Sequence, residues 1–232
     1  MAAGKGTRLG NEWAGIPKAL VPLLGRPMLY YSLNAFDKPA GIERLVVAVP
    51  ASAMEMIGEH IRAWGFSRPV SLVPGGARRS DSVLAALRAL PHDPPDIVLI
   101  HDAARPCLTP DMVDALLKSA DTTTVATLAY RASDTLRIVE NDYLSGEIDR
   151  DTVACLETPQ MFPYARLLEL HESARDLAEL TDDTALFARA GEKVRVVFHD
   201  GTNLKVTYPE DVAAAEGILF VRGWEDASEG GD

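Results

Sequence analysis

Short apolar runs alternate along much of the chain with segments whose apolar residues recur every three or four positions. The runs are rich in Val, Ile and Leu, as in strands buried on both faces of a parallel sheet, and lie at residues 44–49, 70–73, 97–100, 124–129 and 194–198. The segments with helical spacing lie at residues 27–36, 54–64, 83–90, 111–120, 164–177, 183–190 and up to about residue 220. This alternation predicts an α/β fold with a mostly parallel central sheet.

Polar residues of the capping type mark where two of these helices begin. Ser80 or Asp81 is predicted to cap the helix at residues 83–90. Thr207 and Glu210 have the spacing of a capping box at the start of the last helix.

The pattern changes between residues 131 and 151. Two β-prone pieces, residues 135–139 and 146–148, flank a polar turn at residues 140–142, which predicts a hairpin that leaves the body of the domain. A two-stranded hairpin with so little apolar surface is marginal in water by itself. We therefore predict that this β-arm packs against a second copy of the chain and makes a homodimer; the alternative is an exposed, solvated loop.

Composition supports a single packed domain over residues 1–222. Of the 232 residues, 47% are hydrophobic and 25% are charged, which is ordinary for a globular protein. Residues 223–232 are acidic and glycine-rich, and we expect this tail to be disordered. The formal net charge of -11 argues against binding of nucleic acid, because proteins that bind it carry basic surfaces. An anionic ligand would have to be met by a local basic pocket.

Cysteine, histidine and hydropathy patterns exclude several other classes. The two cysteines, Cys107 and Cys155, form no C-x-x-C pair, so we expect core residues in a protein from a reducing compartment. The five histidines lack the spacing of a zinc site. No run of 18 apolar residues and no secretory leader is visible, so we expect a cytoplasmic protein without a membrane partner.

The candidate chemistry begins in the first ten residues, which contain three glycines. The glycines allow a tight turn and a close approach to a ligand, while Lys5, Arg8 and Lys18 bring positive charge. The spacing is not that of a P-loop, and Leu9 stands where the dinucleotide-binding pattern needs its third glycine. This segment predicts a phosphate cradle for another nucleotide class; the alternative is a surface turn that carries basic residues.

Two later junctions between strands and loops carry further candidates. The glycine turn at residues 75–76 follows a strand and leads into a helix, so its N–H groups can hold an anion or a base edge, unless it is a plain capped turn. Asp102 follows the strand at residues 97–100, and ligands of open α/β sheets bind beyond the carboxyl ends of strands. A carboxylate there can hold Mg²⁺; the alternative is that Asp102 simply pairs with Arg105.

Taken in order, these segments resemble the 2-C-methyl-D-erythritol 4-phosphate cytidylyltransferases of non-mevalonate isoprenoid biosynthesis. Each motif is weak alone, whereas the ordered set is specific and extends over residues 2–220. The matching segments are residues 2–8, 17–18, 75–83, 101–106, 134–135, 149–150, 158–162, 181–183, 203–207 and 209–211. The resemblance implies a homodimeric, Rossmann-like nucleotidyltransferase whose β-arm reaches into the partner subunit.

The resemblance also implies which residues bind each part of the substrates. The triphosphate of CTP would lie on the Gly-rich loop, beside Lys18. The residues in contact with it would be Ala2, Ala3, Gly4, Gly6, Arg8 and Lys18. The cytosine, the ribose and the Mg²⁺ would be met by Gly76, Ala77, Ser82, Asp102 and Ala103, with Ala77 acting through its backbone only. The acceptor, a polyol phosphate, would meet Thr135, Arg150, Thr158 and Lys205, the first two donated by the other subunit's arm.

Four basic residues receive the catalytic roles. Arg8 and Lys18 would stabilise the transition state and the leaving pyrophosphate, and Arg150 and Lys205 would orient the attacking phosphate. Two alternatives stay open: transfer of CMP to another polyol phosphate such as ribitol 5-phosphate, and a regulator that binds CTP without turnover. The presence of the acceptor-side pair, Arg150 and Lys205, argues against the regulator.

The chain departs from the family pattern at its start. The Gly-rich loop should follow a buried strand of about five apolar residues, yet only Met1 precedes Ala2. Losing that many buried side chains, at about 1.5–3 kcal/mol each, would approach the whole stability of a domain, about 5–15 kcal/mol. We therefore expect that the natural chain starts upstream of Met1.

Overall fold

The chain folds, in a computed structural model, into alternating strands and helices. The structure describes residues 1–4, 6–10, 13, 15–90, 94–119, 121–173 and 182–226. The strands are β1 (Pro22–Leu23), β2 (Arg26–Pro27), β3 (Leu45–Val49), β4 (Val70–Pro74), β5 (Ile97–Ile100), β6 (Val125–Arg131), β7 (Arg137–Glu140), β8 (Tyr143–Glu147), β9 (Ala154–Pro163) and β10 (Val194–Phe198). The helices are α1 (Met28–Asp37), α2 (Met54–Trp64), α3 (Arg79–Arg88), α4 (Pro110–Lys118), α5 (Tyr164–Ser173), α6 (Thr184–Arg189) and α7 (Glu210–Val221).

The central sheet is mixed. Four strands lie in the order β10-β6-β9-β5, in which β10 is parallel to β6 while β9 is antiparallel to both β6 and β5. A separate parallel pair is formed by β3 and β4. The predicted α/β class is confirmed. The antiparallel strand arises because the chain returns to β9 from the arm rather than through a helical crossover.

A groove of about 680 Å³ separates β3 from β5. Apolar residues of both strands line it, among them Leu45, Val47, Ile97 and Leu99. The backbone of Met1 and Ala2 spans one end of this groove: the Ala2 N–H donates to the Ala48 carbonyl (2.8 Å), and the Ala103 N–H donates to the Met1 carbonyl (3.0 Å). Within the described residues, the only strands that pair with β3 and β5 are β4 and β9. The facing strand edges are therefore joined only where residues 1–2 lie between them.

Two hydrophobic clusters lie on opposite faces of the central sheet. Met161 belongs to the cluster that α1, α2 and α4 cover, whereas Phe162 belongs to the cluster beneath α3, α5 and α6. Neighbouring residues of a strand point to opposite faces, so β9 contributes to both clusters. In the second cluster the rings of Phe162 and Phe187 stack 5.2 Å apart. The fold is thus a sheet between two helical layers, with the carboxyl ends of β3, β4 and β5 leading into the candidate site.

Two helices begin at residues other than those predicted. The third helix starts at Arg79, because the Asp81 carboxylate, in the third helical position, accepts a hydrogen bond from the N–H that precedes the helix (3.1 Å). The last helix starts at Glu210, and the carboxylate that accepts from the Thr207 N–H (2.7 Å) belongs to Asp211 rather than to Glu210. The first prediction thus included the residue that caps, Asp81, but began the helix four residues too late. The second chose the wrong acidic residue because Glu210 and Asp211 stand side by side.

The predicted hairpin is formed by β7 and β8. Its turn residues Asn141 and Asp142 have φ values of 51° and 66°, as in the two-residue turns that match the twist of a hairpin. Val139, Tyr143 and Leu144 are exposed, the last two by 78% and 73%. The arm thus carries apolar side chains that its own chain leaves in solvent.

The remaining predictions about the chain ends are tested only in part. Helix α5 ends, as described, at Ser173, and the predicted continuation at residues 174–177 lies outside the described residues. The acidic tail is described only as far as residue 226. Of the helices in the described parts of the chain, none is long and apolar enough to span a bilayer.

Candidate active site

The Gly-rich loop is packed against the second glycine turn. A Cβ on Gly75 would lie 2.3 Å from the Cβ of Ala3, so no other residue fits there without separating the two segments. Gly6 has a φ of 65°, and a Cβ at this position would lie 3.0 Å from the Cβ of Lys18. Close contact therefore requires glycine at both positions and brings Lys18 beside the loop. Lys5, which the sequence adds to this basic group, lies outside the described residues.

The predicted nucleobase turn, residues 75–77, is fixed from within. The Gly76 N–H donates to the buried hydroxyl of Ser82 (3.0 Å). A Cβ on Gly76 would lie 2.3 Å from the Cβ of Asp81, so the turn folds directly onto the first turn of α3. Gly76 and Ala77 are exposed. The turn therefore presents backbone rather than side chains to a ligand, and Ser82 supports it from behind.

Asp102 lies just beyond β5 and carries two cationic partners. Arg79 Nε donates to its Oδ1 (3.2 Å), and Lys205 Nζ donates to its Oδ2 (2.6 Å). Burial raises the pKa of this carboxyl, but the charges of Arg79 and Lys205 outweigh it and hold the pKa well below its usual range. The carboxylate is therefore ionised and fixed between two cations.

The loop that carries Asp102 is held from its inner side. The Asp102 N–H donates to the buried Thr158 hydroxyl (3.0 Å). Ala103 donates its N–H to the Met1 carbonyl (3.0 Å), and its own carbonyl accepts from the Ser32 hydroxyl (3.1 Å). The predicted site residues Ala103 and Thr158 thus lie behind the carboxylate, where their polar groups support the loop.

Basic side chains converge in front of this loop. Burial lowers the pKa of Lys18, and so do the positive charges of Lys205 and Arg8. The charge of Asp102 raises this pKa, but by less, so the pKa lies below its usual value. The Arg8 guanidinium lies 5.9 Å from the centroid of the Tyr208 ring. Like charges are costly to hold together in a half-buried site, so this arrangement favours an anionic ligand that neutralises them.

The predicted arm residues are exposed at the base of the arm. Arg150 Nη1 donates there to the Ser133 carbonyl (2.9 Å), and Thr135 is also exposed. Lys205 instead donates to Asp102 (2.6 Å). The two predicted acceptor-side cations therefore have different partners, one within the arm and one at the end of β5.

Arg105 has a partner that the sequence analysis missed. Its Nη1 lies 3.2 Å from the carboxylate of Glu157, which is only 2% exposed and also contacts His199 Nε2 (2.6 Å) and Asn203 Nδ2 (2.9 Å). The alternative that Asp102 simply pairs with Arg105 is therefore wrong, since Asp102 binds other cations. The missed signal was a glutamate inside an otherwise buried strand, because such a charge needs several partners.

The donor set suits a magnesium ion that arrives with a nucleotide. Within the described residues, no three His, Cys, Asp or Glu side chains gather into a metal cluster. Mg²⁺ is commonly held by one or two carboxylates together with water and substrate phosphates. Asp102, a single carboxylate beside the phosphate loop, fits that role and would be the protein's ligand.

A Gly-rich loop, a second glycine turn and a lysine-paired aspartate, all at the carboxyl ends of strands in an α/β sheet, define a nucleotidyltransferase of the Rossmann-like class. The family model described as 2-C-methyl-D-erythritol 4-phosphate cytidylyltransferase (IspD) matches residues 1–221. A relative of that name from Azoarcus sp. is 40% identical over 222 residues, which cover 94% of this chain and 91% of the relative. The chain belongs to the 2-C-methyl-D-erythritol 4-phosphate cytidylyltransferase family.

Solved structures agree with this assignment. The enzyme of that name from Thermus thermophilus is 30% identical, with a TM-score of 0.71 over 88% of this chain and 94% of that one. The 4-diphosphocytidyl-2C-methyl-D-erythritol synthase from Anaerococcus prevotii has a TM-score of 0.80 at 24% identity, over 94% of this chain and 95% of that one. The second comparison shows the same fold.

Proposed function

We propose that this protein joins CTP to 2-C-methyl-D-erythritol 4-phosphate, giving 4-diphosphocytidyl-2-C-methyl-D-erythritol and pyrophosphate. The observation that carries this proposal is the Lys205–Asp102 pair (2.6 Å) beside Lys18 and the Gly-rich loop. That arrangement places one carboxylate and several cations where a triphosphate and a second phosphate would have to meet.

The reaction needs charge stabilisation more than it needs a base. A phosphate monoester is largely dianionic at pH 7, because its second pKa is about 6. One of its oxygens forms a bond to the α-phosphorus of CTP, the bond from that phosphorus to the β-phosphate oxygen breaks, and pyrophosphate leaves. No proton has to be removed from the nucleophile, so the protein must mainly offset repulsion between two anions and stabilise the charge of the transition state.

The basic residues divide this work between them. Arg8 and Lys18, beside the Gly-rich loop, stabilise the transition state and the leaving pyrophosphate. Lys205 and Arg150 orient the attacking phosphate. Asp102 would hold Mg²⁺, which when bound would supply positive charge to the phosphates. For Asp102 to do so, it must share or release the ammonium of Lys205, which leaves that ammonium available to the acceptor phosphate.

We further propose a homodimer in which each arm completes the partner's site. Arg150 and Thr135 are exposed at the base of the arm, and the tip exposes Val139, Tyr143 and Leu144. Apolar side chains at a tip favour burial against another surface. A second copy of the chain would bury them and carry Arg150 toward the acceptor phosphate. We place the reaction in the cytoplasm, since Cys107 and Cys155 are both unpaired thiols.

The test is pyrophosphate release with CTP and a panel of polyol phosphates. The proposed function requires turnover with 2-C-methyl-D-erythritol 4-phosphate and CTP that falls sharply with ATP, GTP or UTP. Faster turnover with ribitol 5-phosphate would replace the acceptor. CTP binding by calorimetry without turnover on any acceptor would instead identify a CTP-binding regulator.

A further inference from the structure

The nucleobase turn and Asp102 lie on opposite sides of the groove between β3 and β5. The turn follows β4, which pairs with β3, whereas Asp102 follows β5. Among the described residues, backbone hydrogen bonds of Met1 and Ala2 span one end of this groove. A nucleotide that contacts both sides needs a fixed spacing between the turn and the carboxylate. A further connection between the two sides would help to hold that spacing.

Arg79 makes that connection. It is the first residue of α3, three positions after Gly76, and its Nε donates to Asp102 (3.2 Å) while its Nη1 donates to Asp183 (2.5 Å). Its other terminal nitrogen is buried and finds no hydrogen-bond partner among the described residues. A guanidinium is planar and its donors are rigidly placed, so two carboxylates on different nitrogens fix its orientation.

Asp183 anchors the arginine from the interior. This residue is 2% exposed, and its second oxygen lies 3.0 Å from Nε2 of the buried His171. Burial raises the pKa of Asp183, but the hydrogen bond with His171 and the charge of Arg79 outweigh burial. The pKa is therefore lower than usual and the carboxylate is ionised. Arg79 is therefore the side chain that links Asp183 to Asp102, since it donates to both carboxylates.

We propose that Arg79 and Asp183 are positioning residues that hold the nucleobase turn in register with the Asp102 carboxylate and thereby sharpen the choice of cytosine. The inference rests on the proposed function, since it takes CTP as the nucleotide. In the proposed site the base contacts lie on the turn side of the groove, whereas the Mg²⁺ contact lies with Asp102. If the spacing between the turn and Asp102 is no longer fixed, base recognition weakens while the phosphate contacts remain. The value of kcat/KM should therefore fall more for CTP than for UTP.

The test measures kcat and KM for CTP and UTP in Arg79→Lys, Asp183→Asn and the double variant. We expect the ratio of kcat/KM for CTP over UTP to fall about 10- to 100-fold in each single variant, the scale expected for a misplacement near 1 Å. Because Asp183 acts through Arg79, the CTP:UTP ratio of the double variant should be no lower than that of the more impaired single variant. Additive losses would overturn the proposal.

Two matched substitutions control for structural damage. Asp182→Asn changes the neighbouring aspartate, whose Oδ1 accepts from the Ala185 N–H (3.2 Å) at the start of α6. Arg88→Lys changes an exposed arginine of α3 that pairs with Glu172 (2.9 Å). Both should leave the CTP:UTP ratio within about twofold of wild type, even where the Tm falls. An equal drop in the controls, or an unchanged ratio in Arg79→Lys, would also overturn the proposal.

The outcomes separate this inference from the proposed function. If the wild-type protein releases no pyrophosphate from CTP with any of the polyol phosphates tested, the proposed function fails. If wild type is active and selective but the variants keep its selectivity, only the positioning role fails. Should Asp183→Asn not fold, Arg79→Lys, which keeps the positive charge, decides the question by the same ratio.

Discussion

The buried carboxylate of Glu157 is the clearest point at which the stability of this protein can be tested. It is 2% exposed and faces Arg105 Nη1 (3.2 Å), His199 Nε2 (2.6 Å) and Asn203 Nδ2 (2.9 Å). Glu157→Gln keeps the shape of the side chain but removes its charge. The Arg105 guanidinium, whose side chain is 12% exposed, then lacks a buried counter-charge.

Removing one partner of a buried ion pair costs about 3–5 kcal/mol. In a domain of this size each kcal/mol corresponds to about 2–4 °C, so the Tm of Glu157→Gln should fall by about 6–20 °C. The free energy of unfolding is measured by urea denaturation, with the m-value as a check that both proteins unfold alike. A loss below about 1 kcal/mol would refute the assignment of Glu157 as the buried partner of these groups.

The same variant should also change how stability depends on pH. Burial lowers the pKa of His199, but the hydrogen bond and charge of Glu157, with Asp200, outweigh it and raise the pKa above its usual value. A raised pKa means that the His199 contribution is fully present below about pH 6.5, the unfolded value, and is lost as pH rises through the folded pKa. Wild type should therefore lose stability relative to Glu157→Gln as the pH rises above about 6.5. His199→Asn, which keeps Glu157, is the matched control; parallel pH profiles for wild type and Glu157→Gln would contradict this reasoning.

Three further predictions concern the site and the arm. Lys18→Ala should lower kcat about 10²- to 10³-fold with a far smaller change in the KM for CTP, as measured by pyrophosphate release, and a change confined to KM would remove the catalytic role of this lysine. Gly75→Ala places a methyl 2.3 Å from the Cβ of Ala3, so it should weaken CTP binding in calorimetry and lower the Tm. As its control, Gly217→Ala adds a methyl to helix α7 at a place where no atom lies within 4 Å, and it should instead stabilise the protein by about 1 kcal/mol. Leu144→Glu, at a position 73% exposed, should convert a dimer to a monomer in sedimentation without changing the Tm of the monomer, and an unchanged dimer would place the interface elsewhere.

The regular elements could be predicted wherever one physical pattern dominates. Helix α2 (Met54–Trp64) and strand β10 (Val194–Phe198) have the predicted bounds. The helix has one apolar face and ends at Gly65, whose φ of 64° is a conformation that glycine adopts most readily. The strand contains three valines and a phenylalanine, residue types that favour strands, with Arg195 between them. In both cases local propensity and burial favour the same structure.

Strand direction could not be predicted in the same way. An apolar run such as residues 97–100 has the same composition whether its neighbour is parallel or antiparallel. Its partner, β9, runs antiparallel with Ile100 opposite Gln160, and this register depends on where the arm leaves and re-enters the sheet. That is a property of chain connectivity, which spacing alone does not contain.

The candidate site shows the same division. The convergence of the glycine turn and Asp102 could be predicted because carboxyl ends of neighbouring strands meet at one edge. The partner of Asp102 on α3 could not, since Arg79 is 23 residues away and competes with Arg78 and Arg105 for the same carboxylate by sequence alone. Asp183, which lies 104 residues from Arg79, was equally hidden. Such pairs are defined by which helix packs across which strand.

The groove between β3 and β5 has a consequence for how the protein opens. Strand β6 pairs on both sides, with β10 and with β9, so its backbone amide hydrogens should exchange with solvent mainly through global unfolding. Within the described residues, β3 has no strand partner on the groove side, so the β3–β4 pair should open at lower free energy than β6 does. Because the nucleobase turn follows that pair and Asp102 follows β5, in the sheet of β6, a bound nucleotide links the two. Its binding free energy should appear as slowed amide exchange in β3 and β4, far more than in β6.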